Sequence, residues 1–170
     1  TVTDPNSQVT RFSYDHVGNR ASVTYPNGNV TGYTYDSLNR LTRQTTTDSL
    51  GAVLTDYQYT LDNSGHRLQI TEASGRLTNY TYDRLYRLET ETVTDLVNGN
   101  YSASYSYDKV GNRVYSTIDG VQTAYTYDDN DRLSQQGGTT YGYDDNGNTL
   151  TETLDGVTDS YSYNLSLIHI

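Results

Sequence analysis

Polar and apolar residues alternate along almost the whole chain, and one phrase punctuates the alternation eight times: an aromatic, any residue, an aromatic or leucine, then Asp or Asn. The copies are Phe12-Ser-Tyr14-Asp15, Tyr33-Thr-Tyr35-Asp36, Tyr59-Thr-Leu61-Asp62, Tyr80-Thr-Tyr82-Asp83, Tyr105-Ser-Tyr107-Asp108, Tyr125-Thr-Tyr127-Asp128, Tyr141-Gly-Tyr143-Asp144 and Tyr161-Ser-Tyr163-Asn164. Residues two apart on a strand face the same way, so Tyr33 with Tyr35, and Tyr105 with Tyr107, form aromatic rows on one side while Thr34 and Ser106 look to the other. A return every 20 or so residues, about one supersecondary unit, marks a repeat architecture whose units must stack to bury their apolar faces.

Each phrase runs into a turn. In Asp15-His-Val-Gly18 and Asp108-Lys-Val-Gly111 the aspartate opens a type I turn, its carboxylate placed to accept backbone N–H groups, and glycine takes the left-handed position three residues on. Asp62 with Gly65 and Asp144 with Gly147 share that spacing. Between the phrases lies a second set of turn signals: Asn27-Gly28, Leu50-Gly51, Ser74-Gly75, Asn98-Gly99, Asp119-Gly120, Gly137-Gly138 and Asp155-Gly156. Asn-Gly and Asp-Gly favour type I′ hairpins, in which both central residues need positive φ. Two turns and two strands per repeat predict an all-β fold of tandem β-hairpins. The product is a curved antiparallel strip with about fifteen or sixteen short strands in chain order and no helix longer than a turn or two.

One spacing leaves two solutions. The segment Asp36-Ser-Leu-Asn-Arg40-Leu41, like those ending in Arg87 after Asp83 and Arg132 after Asp128, reaches its arginine one residue sooner than Asp108-Lys-Val-Gly-Asn-Arg113-Val114. A one-residue change flips every following side chain to the opposite face. Either the longer segments carry a bulge that restores parity, or arginine takes the inward position in them.

Composition changes the picture in one respect. Leu, Ile, Val and Phe make up 32 of 170 residues and the net charge is −10, a combination that ordinarily marks a disordered chain. Nineteen tyrosines reverse that inference, because each brings a large apolar face with a polar tip, and abundant threonine adds β-branched stiffness. The expected core is thin. With 21 acidic against 11 basic residues, and the basic ones scattered, the chain has no nucleic-acid footprint. The absence of cysteine removes disulfides, a thiolate nucleophile and cysteine-type zinc sites. No apolar stretch approaches the roughly 20 residues of a membrane helix.

Candidate chemistry is sparse. His16 and His66 fall in turns, without a serine or carboxylate constellation, and read as solvated turn histidines; His169 lies near the end. The acidic turns Asp128–Asp131 and Asp144–Asn148 offer oxygen ligands to calcium but lack the ordered Asp-x-Asp-x-Asp-Gly pattern with its closing glutamate, so turn formation accounts for them. No cofactor is expected. Asn29-Val-Thr31, Asn79-Tyr-Thr81 and Asn164-Leu-Ser166 match glycosylation acceptors, as chance provides in a chain rich in Asn and Thr. The tyrosine rows have two readings, core ladders or platforms that stack on sugar rings, and their regularity favours the core.

The alternation of Tyr-x-Tyr-Asp, a turn and Arg-Leu, linked by Asn-Gly or Asp-Gly, resembles the tyrosine-aspartate (YD) repeats of the rearrangement-hotspot (RHS) family, over about residues 10–164. The segment from Arg20 to Asp36 carries the resemblance most closely. It implies a strip wound into a hollow shell, as in bacterial polymorphic toxins and insecticidal toxin complexes, secreted or held at the cell surface. The cargo of such a shell is a C-terminal toxin domain, and the family's autocleavage segment and toxin domain are not found in this sequence. Residues 1–164 are read as the repeat array. Residues 165–170 share no chemistry with the repeats and read as a scar of cloning or sequencing, while the lack of methionine suggests an internal fragment. The resemblance implies a non-enzymatic shell segment whose partners are neighbouring repeats of the parent chain and the encapsulated toxin. The alternative is a surface adhesin binding carbohydrate or a partner protein.

Overall fold

A computed structural model describes residues 1–163, and the expectations for Asn164, His169 and residues 165–170 lie outside them. Among the described residues there are sixteen strands and no helix. They fall into two compact units. The first, Thr1–Tyr101, holds β1 (Val2–Thr3), β2 (Val9–Tyr14), β3 (Arg20–Thr24), β4 (Val30–Tyr35), β5 (Leu41–Thr47), β6 (Val53–Leu61), β7 (Arg67–Glu72), β8 (Leu77–Tyr82) and β9 (Leu88–Thr94). The second, from Ser102, holds β10 (Tyr101–Tyr107), β11 (Arg113–Ile118), β12 (Val121–Tyr127), β13 (Leu133–Gln136), β14 (Thr139–Tyr143), β15 (Thr149–Leu154) and β16 (Val157–Ser160).

Within each unit, successive strands pair antiparallel in chain order. No strand there packs on any but its sequence neighbours, so each unit is a single layer. A single layer leaves little to bury. Val23, Val93, Ala103 and Tyr125 are the buried apolar residues among those described, and none is sealed from solvent. Thr31, Thr78 and Ser116 are equally buried, and the hydroxyls of Thr31 and Ser116 meet those of Thr46 at 2.9 Å and Tyr125 at 3.1 Å. The threonine and serine at the centre of each phrase are exposed, as the two-residue period requires, and cross-strand hydroxyl pairs join Ser13 to Ser22, Thr81 to Thr90 and Thr126 to Ser134. Such pairs are worth about 0.2–1 kcal/mol each, so the sheet gains stability by repetition.

The seven described turns after a phrase share one geometry. The aspartate N–H donates to the carbonyl four residues on, at 2.8–3.0 Å, in all seven. Its Oδ1 accepts the N–H groups two and four residues on: Val17 and Asn19 at Asp15, Leu38 and Arg40 at Asp36, Ser64 and His66 at Asp62, Leu85 and Arg87 at Asp83. Asp108, Asp128 and Asp144 repeat it. The residue three on adopts positive φ in each. It is Gly18, Gly65, Gly111 or Gly147 in four turns, and Asn39, Tyr86 or Asp131 in the other three.

The spacing question is thereby decided. All seven described turns have equal length, and a bulge precedes the third residue of each phrase that leads into them, so Tyr35 pairs with Leu41 just as Tyr107 pairs with Arg113. Tyr14, Leu61, Tyr82, Tyr127 and Tyr143 likewise pair with the residue six positions on. Arginine occupies a different slot of the same turn: the fourth position after the aspartate in Arg40, Arg87 and Arg132, the fifth in Arg20, Arg67 and Arg113. No extra bulge sets the longer segments apart: arginine takes the strand slot that Leu41 fills, half-buried at Arg113 and exposed at Arg20 and Arg67.

The second set of turns departs from expectation. Only Asp119-Gly120 and Asp155-Gly156 have positive φ at both residues, as type I′ demands. At Gly137-Gly138 the first glycine alone is positive, as in type II′. Gly28, Gly51 and Gly75 instead close type I turns whose N–H groups return to Tyr25, Asp48 and Glu72, with glycine in the bulge position, and Gly99 closes a wider loop back to Asp95. The reason is loop length: one more residue between strands converts the two-residue mirror turn into a type I turn followed by a left-handed residue.

Two expectations follow from the turns. Gly111 has φ +109° and nothing within 4 Å of where a Cβ would stand, so strain there is purely a matter of backbone conformation. Gly111→Val should lower stability by about 1 kcal/mol or more, while Lys109→Ala in the same turn should do little; equal effects in a thermal melt would contradict the assignment.

The second expectation concerns acid. The backbone N–H groups of Arg40, Arg87 and Arg132 hold the carboxyls of Asp36, Asp83 and Asp128 below their ordinary value, with the arginine side chains adding to the effect. A folded-state value depressed below the unfolded one contributes stability that is present above the unfolded value and is lost as pH falls through the folded one. The melting temperature should therefore hold from neutral pH to near 3.8, the unperturbed aspartate value, and fall below it. A protein that melts higher at pH 3 than at pH 6 would overturn this.

Candidate functional site: the ladder along the aspartate turns

Among the described residues, polar side-chain contacts concentrate where one aspartate turn meets the next. The turns alternate strictly in kind. Those of Asp15, Asp62, Asp108 and Asp144 carry glycine at the third position and Asn19, His66, Asn112 or Asn148 at the fourth. Those of Asp36, Asp83 and Asp128 carry a non-glycine residue at the third and arginine at the fourth.

The fourth residue binds back to the aspartate that opens its turn. Arg40, Arg87 and Arg132 place Nε 2.7 Å from Oδ2 of Asp36, Asp83 and Asp128. Asn19 and Asn148 donate Nδ2 to Asp15 and Asp144, and His66 Nδ1 lies 3.0 Å from Asp62 Oδ2. It also reaches forward. From glycine turn to arginine turn, Asn19 donates to Asn39 Oδ1 at 2.9 Å, Asn112 donates to Asp131 Oδ1 at 2.8 Å, and the His66 ring stacks on Tyr86 at 4.3 Å and 11°. From arginine turn to glycine turn, Arg40 Nη1 donates to the carbonyl of Asp62 at 2.8 Å and Arg132 Nη1 to that of Asp144 at 3.0 Å. Surface ion pairs are worth little singly, but each of these two guanidiniums binds a carboxylate and neighbouring backbone carbonyl oxygen at once.

The tyrosines complete the ladder. The hydroxyls of Tyr35, Tyr82 and Tyr127 donate to the carbonyls of Arg20, Arg67 and Arg113, and that of Tyr143 to Leu133, each in the preceding turn. The first aromatic of the phrase lies under the fifth-position arginine: Arg20 over Phe12 at 5.2 Å, Arg67 over Tyr59 at 4.5 Å, and Arg113 over Tyr105 at 5.6 Å and Tyr125 at 4.4 Å. Arg113 Nε is buried without a hydrogen-bond partner, and ring faces stand where a polar group would. Burial pushes up the phenols of Tyr59, Tyr80, Tyr82, Tyr127 and Tyr141. Tyr33, Tyr35, Tyr80, Tyr105, Tyr107, Tyr141 and Tyr143 are half-buried, whereas Tyr14 is exposed.

His66 is not the solvated turn residue that its position in the sequence suggests, because Asp62 and Tyr86 hold its ring; His16 is exposed. The roles of Asn19, Asn112, Arg20 and Arg67 are invisible until turns are seen side by side, although the alternation of glycine with arginine after the phrase is a signal for them in the sequence. Asp56 is also new: Arg43 grips it through Nε and Nη2 at 2.8 Å, Thr45 adds a bond at 2.7 Å, and its carboxyl is held far below the usual range. Among the described residues no three His, Asp or Glu side chains form a group that could hold a metal. Asn79 sits mid-strand with its side-chain oxygen bonded to Gln69, and Thr31 of the Asn29 sequon is buried.

Set beside known proteins, residues 1–30 and 14–53 match the RHS repeat family model. Nothing among the curated proteins matches the chain. The fold resembles the crystal structure of TcdB2-TccC3-TEV with a TM-score of 0.75 at 20% identity, over 90% of this chain and 9% of that one. TcdB2-TccC3 without its hypervariable C-terminal region gives the same values. A Photorhabdus luminescens Tc holotoxin pore gives 0.61 at 18% identity, over 89% of this chain and 11% of that one. The chain thus spans about a tenth of the length of these solved chains. The first 53 residues of the chain thus match the RHS repeat family model, and the same phrase and turn geometry recur beyond them as far as the Asp144 turn.

Proposed function

We propose that this array is a non-enzymatic stretch of shell wall which, with further repeats of a longer parent chain, encloses or presents a C-terminal toxin or effector domain in a secreted or surface-associated bacterial protein. The observation that carries the reading is the turn ladder. Within each unit, turns are tied to their neighbours by the guanidiniums of Arg40 and Arg132, by amide bonds and by the His66–Tyr86 stack, while no strand packs on anything but its neighbours, a construction suited to a wall that extends by repetition. The likeness in fold to TcdB2-TccC3 chains supports the same reading.

A sugar-stacking adhesin asks for open aromatic faces. Here the hydroxyls of Tyr35, Tyr82, Tyr127 and Tyr143 are spent on backbone carbonyls, and guanidiniums cover Tyr59, Tyr105, Tyr125 and Tyr143.

The experiment pairs a thermal melt with a glycan-binding assay. Tyr125→Ala removes the most buried tyrosine, 8% exposed, and should cost about 3 kcal/mol. Tyr105→Ala, at a half-buried ring, should cost less, and Ser106→Ala, at an exposed position, almost nothing. Glycans should not be retained by the parent protein. Unchanged stability of both tyrosine variants together with lost glycan binding would promote the adhesin and sink the wall.

A further inference from the structure

The sequence holds three Asn-Gly pairs, Asn27-Gly28, Asn98-Gly99 and Asn146-Gly147. Such a pair can react with itself, because the glycine nitrogen, unhindered by a side chain, can attack the asparagine Cγ. The hydrogen of the glycine N–H and the side-chain NH2 leave together as ammonia, and a cyclic succinimide remains. Water then opens the ring at either carbonyl, giving aspartate or isoaspartate, and neither an oxidant nor a reductant is needed. The fold decides which pair is held ready for the first step.

Asn27 is held ready. Its Oδ1 accepts the N–H of Asn29 at 3.0 Å, which closes a small ring containing both Asn27 Cγ and the Gly28 nitrogen. The carbon under attack is thereby kept near the attacking atom, and the oxygen that gains negative charge in the tetrahedral intermediate already faces a backbone donor. Ser7 and Gln8 of the loop before it and Ser49 of the turn after it flank the site, so both of its neighbours in the sheet are described.

Asn98 is held differently. Its Nδ2 donates to Asp95 Oδ2 at 3.0 Å and its N–H to Asp95 Oδ1, so the side chain is anchored on the residue that opens the loop, through the nitrogen that would have to leave. Two other features do not separate the pairs. Both asparagines are exposed, and both glycine N–H groups are bonded to a carbonyl, Gly28 to Tyr25 at 2.9 Å and Gly99 to Asp95 at 3.1 Å.

We infer that Asn27-Gly28 is a site of spontaneous covalent modification, losing its side-chain amide through a succinimide in preference to Asn98-Gly99, with isoaspartate among the products. The inference does not rest on the shell reading. The two products act differently on the sheet. Aspartate keeps an oxygen for the Asn29 N–H and leaves the main chain as it was. Isoaspartate lengthens the main chain by a carbon between β3 and β4, where Gly28 already lies so close to the next turn that a Cβ on it would stand 2.8 Å from Ser49 Cβ. The hairpin must open to accommodate it.

The test incubates the 170-residue protein at mildly alkaline pH, folded and in urea, and follows each asparagine by peptide mapping and mass spectrometry in water enriched in heavy oxygen. In the folded protein Asn27 should lose its amide about fivefold faster than Asn98 or more, and in urea the two rates should converge. Asn29→Pro removes the N–H that faces Oδ1 and should slow the loss at Asn27 about fivefold. A melt establishes that this variant is folded, and where it is not, the comparison within the parent chain decides. Asn27→Asp should melt with the parent, and aged protein rich in isoaspartate should melt lower; equal melting of all three would overturn the effect on the hairpin. Loss at Asn98 as fast as at Asn27 in the folded protein, a preference for Asn27 that persists unchanged in urea, or undiminished loss in a folded Asn29→Pro variant would overturn the site.

Discussion

The structure depends on one interaction, the aspartate carboxylate that closes the turn after each phrase. A tight reversal leaves several backbone N–H groups pointing into a small space, and leaving such groups unbonded is costly. One Oδ1 accepts at least two of them at each described turn, and at Asp36 Oδ2 takes the side chain of the fourth residue. Because the same atoms do the same work in all seven turns, the strands on either side always enter in the same register. The bulge beside the phrase is part of this arrangement, since it sets the third residue of the phrase opposite the fifth residue of the turn.

Once register is set, a thin sheet suffices. Among the described residues none is sealed from solvent, so a conventional hydrophobic core contributes little. What replaces it is half-burial repeated many times: tyrosine rings that place one face against arginine, threonine hydroxyls that pair across strands, and phenol groups that cap carbonyls of the turn before. Tyrosine and arginine suit this because each can bury an apolar body while its polar end finds a partner nearby. The acidic excess of the sequence follows from the same requirement, since a carboxylate is needed at every turn and only some are matched by a guanidinium.

The alternation of glycine and arginine turns adds direction. A glycine turn offers an amide or imidazole to the next turn's left-handed residue, and an arginine turn offers a guanidinium to the next turn's carbonyl. A repeat of one kind therefore fits beside the other kind and not beside its own, so the natural unit of the array is two phrases. In such an array, information about the neighbour is written at the turn and not in a shared core.

Much is legible in the residues alone. Tyr-x-Tyr-Asp with glycine three residues later dictates two side chains on one face and an aspartate-capped turn, because strand period and turn stereochemistry are local. The all-β class, the order of the strands and the exposure of Ser106 and Thr34 follow from those local rules. Asn27-Gly28 has the dipeptide of a mirror turn and does not form one, because loop length, set by where pairing stops, outweighs the dipeptide. The slot of Arg113 against Arg40 is open in the sequence, since both choices satisfy every local rule and only the pairing of Tyr107 with Arg113 and Tyr35 with Leu41 separates them. For the same reason His66 looks solvated and Asn19 looks idle along the chain: the partners Tyr86 and Asn39 are 20 residues away in sequence and adjacent only after the strands have paired. Local stereochemistry determined the turns and strands; contacts between turns needed the third dimension, because they join groups whose distance no spacing along the chain encodes.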